Sequence, residues 1–269
     1  MNKALALKNM RRLGPDESWF SIDELSDHFI IGDALAVMSV MPPDSVDLIV
    51  TSPPYNLGMK YAGSQNDTRS WGAYFRWTQK WLFQAHRVLK QDGRICINHY
   101  LSCGDAVRGR VAPLMTINSL AEVVGLRHHG LAVWNDATVS RPTAWGSWLS
   151  ASSPYINSPY EGILIMYKRR WKRDRRGVST IGKQQFLDGT HGVWKLRSER
   201  RKDHPAPFSP DLPSMCINLL SYEGDIVLDP FVGTGTTCIE AATSGRHFIG
   251  IDISSKYIRS AVVRMGKEF

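Results

Sequence analysis

Two spacings of apolar residues alternate along the chain. Short, nearly continuous apolar runs cover His28 to Ile31, Val46 to Thr51, Arg94 to His99, Gly130 to Trp134, Gly162 to Tyr167, Asp225 to Asp229 and His247 to Ile253. These runs are too brief for helices and read as strands buried on both faces. Between them, apolar positions recur at helical period over Ala34 to Met41, Tyr74 to Lys90, Pro113 to Val124, Pro213 to Ser221, Gly235 to Ser244 and Ser255 to Met265. Stop signals fall between the elements, notably Ser52-Pro53-Pro54 and Gln91-Asp92-Gly93. Alternation of this kind predicts an α/β fold, a doubly wound and mostly parallel sheet covered by helices on both faces. Two successive strands before Gly162 break the alternation, as does a polar, Arg-rich stretch over 169–203. The chain therefore divides into an N-terminal extension (1–27), a first half of the sheet domain (28–168), a basic lobe (169–203) and a second half (204–269).

Charge sharpens that division. The chain of 269 residues carries a formal net charge of +8. Between Lys168 and Lys202 stand thirteen Lys and Arg against Asp174, Asp188 and Glu199, a local +10, so the remainder sums to about −2. A basic stretch with Trp171 and Trp194 interleaved suits a phosphate-bearing partner, and Arg169, Arg170, Lys172, Arg173, Arg175 and Arg176 are its candidate phosphate contacts. No uninterrupted apolar stretch is long enough for a membrane span. Cys96, Cys103, Cys216 and Cys238 show no metal-ligand spacing and read as reduced thiols of a cytoplasmic protein.

The run Asp229-Pro-Phe-Val-Gly-Thr-Gly235 sets Gly233 and Gly235 between a strand and a helix, where the backbone turns tightly and can approach a ligand. A following strand ends at Asp252, whose carboxylate can accept from ribose hydroxyls. A nucleoside triphosphate would require a Lys after the glycines, and none is there. A dinucleotide loop would prefer a third glycine where Cys238 stands. S-adenosylmethionine has no phosphate, and its amino-acid end, ribose and adenine match this set.

In Thr51-Ser-Pro-Pro-Tyr55 a strand runs into two residues that lack an N–H, which leaves carbonyl oxygens free to accept. Ser52 adds a hydroxyl, and Tyr55 offers a flat face for a base. The lone pair of an exocyclic base amine is delocalised into its ring. Acceptors aimed at the amine hydrogens can turn that lone pair toward an electrophilic methyl.

With these two motifs in this order, the chain resembles the amino-methylating DNA methyltransferases of the permuted β class. The resemblance extends from about His28 onward. It implies a seven-stranded sheet with one antiparallel strand (the class I methyltransferase fold, circularly permuted) and a flipped target base held by Ser52, Pro53, Pro54 and Tyr55. It assigns S-adenosylmethionine to Asp229, Pro230, Phe231, Gly233, Gly235 and Asp252, with Asp33 near the adenine. His204-Pro205-Ala-Pro-Phe208 resembles the family's cofactor-flanking motif, and the basic stretch its target-recognition region. Serine at position 52 resembles the N4-cytosine subgroup, whereas Asp or Asn there is more typical of N6-adenine enzymes. The implied partner is double-stranded DNA, with a homodimer and a functionally cognate restriction endonuclease suggested by analogy alone. C5-cytosine chemistry needs a cysteine nucleophile, usually preceded by proline, and no Pro-Cys pair occurs. An N6-adenine enzyme, a non-catalytic DNA-binding relative and an amide methyltransferase are the competing readings. Asn98, His99 and Tyr100 are candidates to line the base pocket. Trp145 and Trp148 read as core or rim packing rather than base contacts, and Glu161 as a surface or hairpin residue.

Overall fold

The computed structural model describes residues 4–6, 20–59, 61, 67–105, 109–134, 146–154, 156, 160–196 and 209–268. In chain order the elements are β1 (Ala4–Ala6), α1 (Ile22–Leu25), β2 (His28–Ile31), α2 (Ala34–Val40), β3 (Val46–Thr51), α3 (Trp71–Val88), β4 (Leu89–Tyr100), β5 (Cys103–Asp105), β6 (Gly109–Val111) and α4 (Pro113–Val123). They continue as β7 (Arg127–Trp134), β8 (Glu161–Tyr167), α5 (Lys183–Gly189), β9 (Val193–Trp194), α6 (Asp211–Leu220), β10 (Ile226–Asp229), α7 (Thr236–Thr243), β11 (His247–Asp252) and α8 (Ser255–Glu268).

The main sheet has the order β1-β2-β11-β10-β3-β4-β8-β7-β9. Its seven inner strands, β2 to β7 in that order, are those expected. β8 alone runs antiparallel to its neighbours β4 and β7. Two short strands extend the edges, β1 parallel to β2 and β9 parallel to β7, so among the described residues the sheet has nine strands rather than seven. All six residues of β3 are buried, the polar Asp47 and Thr51 among them. Two apolar clusters, one on each face, complete the doubly wound arrangement.

Local chemistry fixes the element ends. Ser70 caps α3, accepting from the Ala73 N–H, so the helix begins three residues before its first periodic tyrosine. Asp33 caps α2 in the same way. In α3, Tyr74, Trp81, Leu82, Ala85 and Val88 form the buried stripe, and a helix so striped is held by packing more than by propensity.

The stretch 169–203 does not stand apart as a lobe where it is described. Trp194 is buried in a core cluster, and β9 lengthens the main sheet. The chain leaving β8 is also tied to the start of β4: Lys168 N–H donates to the Gly93 carbonyl, and the N–H groups of Arg169 and Arg170 to that of Gln91. Because β8 is antiparallel, Tyr167 pairs with Arg94 while Glu161 pairs with Tyr100. Residues 168–176 therefore lie at the N-terminal ends of the parallel strands, about 20 Å along β4 from the other end.

Candidate active site

The two sequence motifs meet at the C-terminal ends of adjacent strands. β3 and β10 pair in parallel, Leu48 opposite Val227, so Ser52 and Pro230 each begin a turn at the same edge. A direct bond joins the turns: Thr51 Oγ1 donates to Asp229 Oδ1 at 2.8 Å. Thr237 Oγ1 donates to the other carboxylate oxygen at 2.7 Å, and the Phe231 N–H to Oδ1 at 3.0 Å. Asp229 is 1% exposed, and it braces β3, the glycine turn and α7 against one another. Burial raises its carboxyl to about 6, although the threonine hydroxyls and the Phe231 amide pull the other way.

This elevation makes a testable statement about stability. Between pH 4 and 6 the folded state holds a proton that the unfolded chain has released, so stability falls as pH rises through that window. Asp229→Asn removes the dependence. Relative to wild type, the variant should gain about 2 kcal/mol between pH 4.5 and pH 7.5, read as the change in ΔΔG from urea titrations at the two pH values. A constant ΔΔG would mean that the carboxyl titrates normally.

The glycine turn follows. Gly233 and Gly235 have φ of 52° and 88°, a region costly for residues with a Cβ. At Gly235 a Cβ would also lie 2.8 Å from the Ala261 Cβ and 3.3 Å from Phe29. Asp252, at the tip of β11, accepts from the Gly233 N–H at 3.0 Å and from the Ser254 N–H at 2.7 Å. Burial raises its carboxyl above the usual range. Gly32 N–H donates to the Asp252 carbonyl, which brings exposed Asp33 to the same rim. Pro230 is buried. Phe231 packs between Trp77 and Trp81 of α3, with ring centroids 5.4 and 5.6 Å away. The structure thus gathers Asp33, Pro230, Phe231, Gly233, Gly235 and Asp252 around one turn. His204 and Pro205 lie outside the described residues.

The proline turn is held from beneath. Asp67 accepts from the backbone N–H groups of Asn56, Leu57 and Met59 at 2.9, 3.1 and 2.8 Å. Asn56, at φ 60°, clasps Arg69 through both ends of its amide. Nothing in the apolar spacing marks Asp67, because its partners are backbone groups. Replacing Asp67 by alanine leaves three amides without their acceptor. The expected cost is about 2–3 kcal/mol, measured by urea denaturation.

Within the turn, Tyr74 Oη donates to the Pro54 carbonyl and meets His99 Nε2, both at 2.9 Å. Burial lowers His99 to about 3, so its ring is neutral. Because the single Tyr74 hydroxyl hydrogen goes to the Pro54 carbonyl, the contact requires the tautomer in which Nε2–H donates to Tyr74. Of the two proline carbonyls, that of Pro53 takes no donor among the described residues. Tyr55 is 6% exposed, and its ring lies 4.5 Å from His99 and 5.1 Å from Tyr100. Its hydroxyl accepts from Ser52 Oγ at 2.7 Å and Asn98 Nδ2 at 2.8 Å, and donates to Glu161 Oε2 at 2.6 Å. Asn98 and His99 thus lie directly against Tyr55.

Glu161 corrects the sequence reading. It is not a bare surface residue, because the antiparallel sense of β8 carries its first residue to the Ser52 end of the sheet. An acid heading a strand that runs against its neighbour was the available signal. Of the core and rim packing expected for Trp148, its 73% exposure removes the core. Trp145 is outside the described residues.

The basic candidates fare differently. Arg173 is buried and ion-paired with Asp47 at 2.8 Å, Asp225 at 3.1 Å and Asp92 at 3.4 Å. Arg175 also pairs with Asp225, and Arg170 with Asp174. Arg169, Lys172 and Arg176 are exposed. All six stand at the end of the sheet opposite Ser52, so their proposed phosphate role does not match their position. Among the described residues no group of His, Cys, Asp and Glu could hold a metal ion, the four cysteines form no disulfide, and no helix is long and apolar enough to cross a membrane.

A permuted, doubly wound sheet whose Ser-Pro-Pro-Tyr turn abuts a glycine turn is the arrangement of an amino methyltransferase. The chain belongs to the N6/N4 DNA methylase family, whose model, described as DNA methylase, matches residues 46–263. It is 42% identical over 164 residues to the Type II methyltransferase M.MjaVI of Methanocaldococcus jannaschii, covering 61% of this chain and 82% of that protein. It is 29% identical over 265 residues to the DNA adenine methyltransferase YhdJ of Escherichia coli K12, covering 88% and 81%. Among solved structures, TTHA0409 of Thermus thermophilus complexed with S-adenosyl-L-methionine superposes with a TM-score of 0.72 at 26% identity, covering 89% of this chain and 93% of that one. The cytosine-N4-specific PvuII DNA methyltransferase superposes at 0.69 with 19% identity, covering 90% and 89%, a likeness of fold.

Proposed function

We propose that the protein methylates an exocyclic amine of a flipped base in double-stranded DNA, with the N4 amine of cytosine as its target. The observation that carries this reading is the Thr51–Asp229 bond, which fixes the Ser-Pro-Pro-Tyr turn beside the glycine turn. S-adenosylmethionine is the cofactor, as in the relative TTHA0409, and when bound it supplies an electrophilic methyl group. The local residues suit it. Gly233 and Gly235 let the backbone approach its amino-acid end, Asp252 can accept from its ribose, and Asp33 borders the adenine side. Asp229 acts by bracing the turn.

On the base side, the Pro53 carbonyl and the Ser52 oxygen are the acceptors for the two amine hydrogens, and together they orient the lone pair. Serine as the first residue of the tetrapeptide supports cytosine N4. The named specificity of YhdJ, 29% identical over most of both chains, supports adenine N6 as the second reading. The names of the type II relatives support a place in restriction–modification. One experiment separates the targets: methylate DNA with isotopically labelled cofactor, digest it to nucleosides and identify the labelled one. N4-methyl-2′-deoxycytidine supports the proposal, and N6-methyl-2′-deoxyadenosine replaces it with the alternative.

Phosphate binding is proposed for the chain beyond β9 rather than for the start of the basic stretch. β9 runs parallel to β7, so the chain leaves it at the catalytic end, through Lys195, and Arg197, Arg200, Arg201 and Lys202 come next in sequence. Joint replacement of Arg169, Arg170, Lys172 and Arg176 by alanine should leave the salt dependence of DNA binding unchanged. Arg200→Ala with Arg201→Ala should reduce the slope of log K against log salt by about 0.9 for each phosphate no longer neutralised. Filter-binding titrations over a range of salt concentrations test both, and the opposite pattern would return the phosphate role to 169–176.

A further inference from the structure

The hydroxyl of Ser52 is the first link of a short polar chain that leads away from the cleft. Ser52 Oγ donates to Tyr55 Oη at 2.7 Å, and Tyr55 Oη donates to Glu161 Oε2 at 2.6 Å. Asn98 Nδ2 donates to both later members, to Tyr55 Oη at 2.8 Å and to Glu161 Oε2 at 2.6 Å. This arrangement fixes the direction of every proton. Two donors fill the lone pairs of the Tyr55 oxygen, so its single hydrogen faces Glu161. The Ser52 hydrogen is committed to Tyr55, which leaves the serine oxygen as an acceptor for a group arriving from the cleft. His99 and Tyr100 hold the Tyr55 ring from two sides. Burial, then the charge of Glu161, keeps the Tyr55 hydroxyl well above its ordinary range. Tyr55 therefore cannot act as a standing base, and it passes a proton on only as it receives one. Glu161 is half-buried, close enough to water to release what it takes up.

We propose that Ser52, Tyr55 and Glu161 form a proton relay that carries away the proton shed by the target amine, with Glu161 as the terminal acceptor. The proposal rests on the reading of the protein as an amine-methylating enzyme. The amine nitrogen forms its new bond to carbon with its own lone pair, while the carbon–sulfur bond breaks and leaves its electron pair on sulfur. The nitrogen then carries a positive charge and an acidic proton. That proton passes to Ser52 Oγ, the serine proton to Tyr55 Oη, and the tyrosine proton to Glu161 Oε2. Serine and tyrosine end as they began, the methylated amine is neutral, and Glu161 is a carboxylic acid until it loses the proton to water. Glu161 is a positioning and proton-accepting residue that acts through two others, since it lies behind Tyr55.

The test is Glu161→Gln, which keeps shape and removes the acceptor charge. Single-turnover methyl transfer should fall about 100-fold, with the dissociation constants for cofactor and DNA within about twofold of wild type. In Glu161→Ala, sodium formate should restore a substantial part of the lost rate, since a small carboxylate can occupy the vacated end of the relay. A third readout needs neither cofactor nor DNA. With 3-fluorotyrosine at position 55, the fluorine resonance should titrate at lower pH in Glu161→Gln than in the parent protein. Should Glu161→Gln fail to fold, Tyr55→Phe cuts the same chain one link earlier and carries the same expected rate loss. A Glu161→Gln rate within about threefold of wild type overturns the relay. So does an unshifted fluorine titration, or a loss accompanied by weakened cofactor binding without formate rescue. Failure of the wild-type protein to methylate any base amine would instead overturn the underlying function.

Discussion

Replacing Arg173 by methionine is expected to cost about 3–5 kcal/mol of stability while leaving methyl transfer per folded molecule intact. The guanidinium sits among Asp47, Asp92 and Asp225, with only 4% of its side chain exposed. Taking it away leaves buried carboxylates facing one another. Lys90 still reaches Asp47 at 2.7 Å, and Arg175 still reaches Asp225, which keeps the loss within that range. Burial and the Asp47 charge already push Asp225 upward against the pull of both arginines. Protonation of the cluster should therefore soften the defect, and the gap between variant and wild type should narrow as pH is lowered. Urea denaturation at two pH values measures this. A stable variant with weakened DNA binding would return Arg173 to the phosphate-binding set.

Ser52→Ala should lower the rate of methyl transfer by about 10²- to 10³-fold without changing cofactor affinity. One acceptor aimed at the amine is lost, and removal of a single preorganised polar group of this kind costs about that much. Two consequences coincide at this residue, because its oxygen orients the amine and its proton begins the chain to Tyr55. The variant should therefore be at least as slow as Glu161→Gln. Adding Glu161→Gln to it should slow it little further, since residues acting as a unit are not additive. Single-turnover assays of both variants and their double check this. Independent, multiplying losses would mean that the two side chains act separately.

The inner sheet was legible because each inner strand is a nearly continuous apolar run and each long helix has its own stripe. Predicted and observed bounds differ by one residue at Pro113–Val123, Glu161–Tyr167 and His247–Asp252. The largest shift is at β4, which begins at Leu89 and not Arg94, because pairing of Leu89 with Val46 extends it past the polar Gln91-Asp92-Gly93. What escaped were elements defined by partners. β9 is two residues long and exists because Val133 and Trp134 offer it an edge. Each of the two motifs was readable from its own residues, and the parallel pairing of β3 with β10 is what brings them together. Asp67 and Glu161 were not, for one serves backbone amides and the other gains its meaning from the direction of β8. The arginines show the reverse error. Composition reports how many charges a segment holds, but not that three carboxylates from β3, β4 and the approach to β10 already wait for one of them.

The sheet order has a consequence for biosynthesis. β2 and β3 emerge early, yet they never touch each other in the finished protein, because β10 and β11 slot between them. Thr51 and the aspartate that receives its hydroxyl are 178 positions apart. A nascent chain halted before Ile226 holds two apolar strands with a gap where their neighbours belong, and closing so long a loop is slow. Maturation of this enzyme is thus a late, centre-filling event, and until then its unpaired strand edges invite association with other chains.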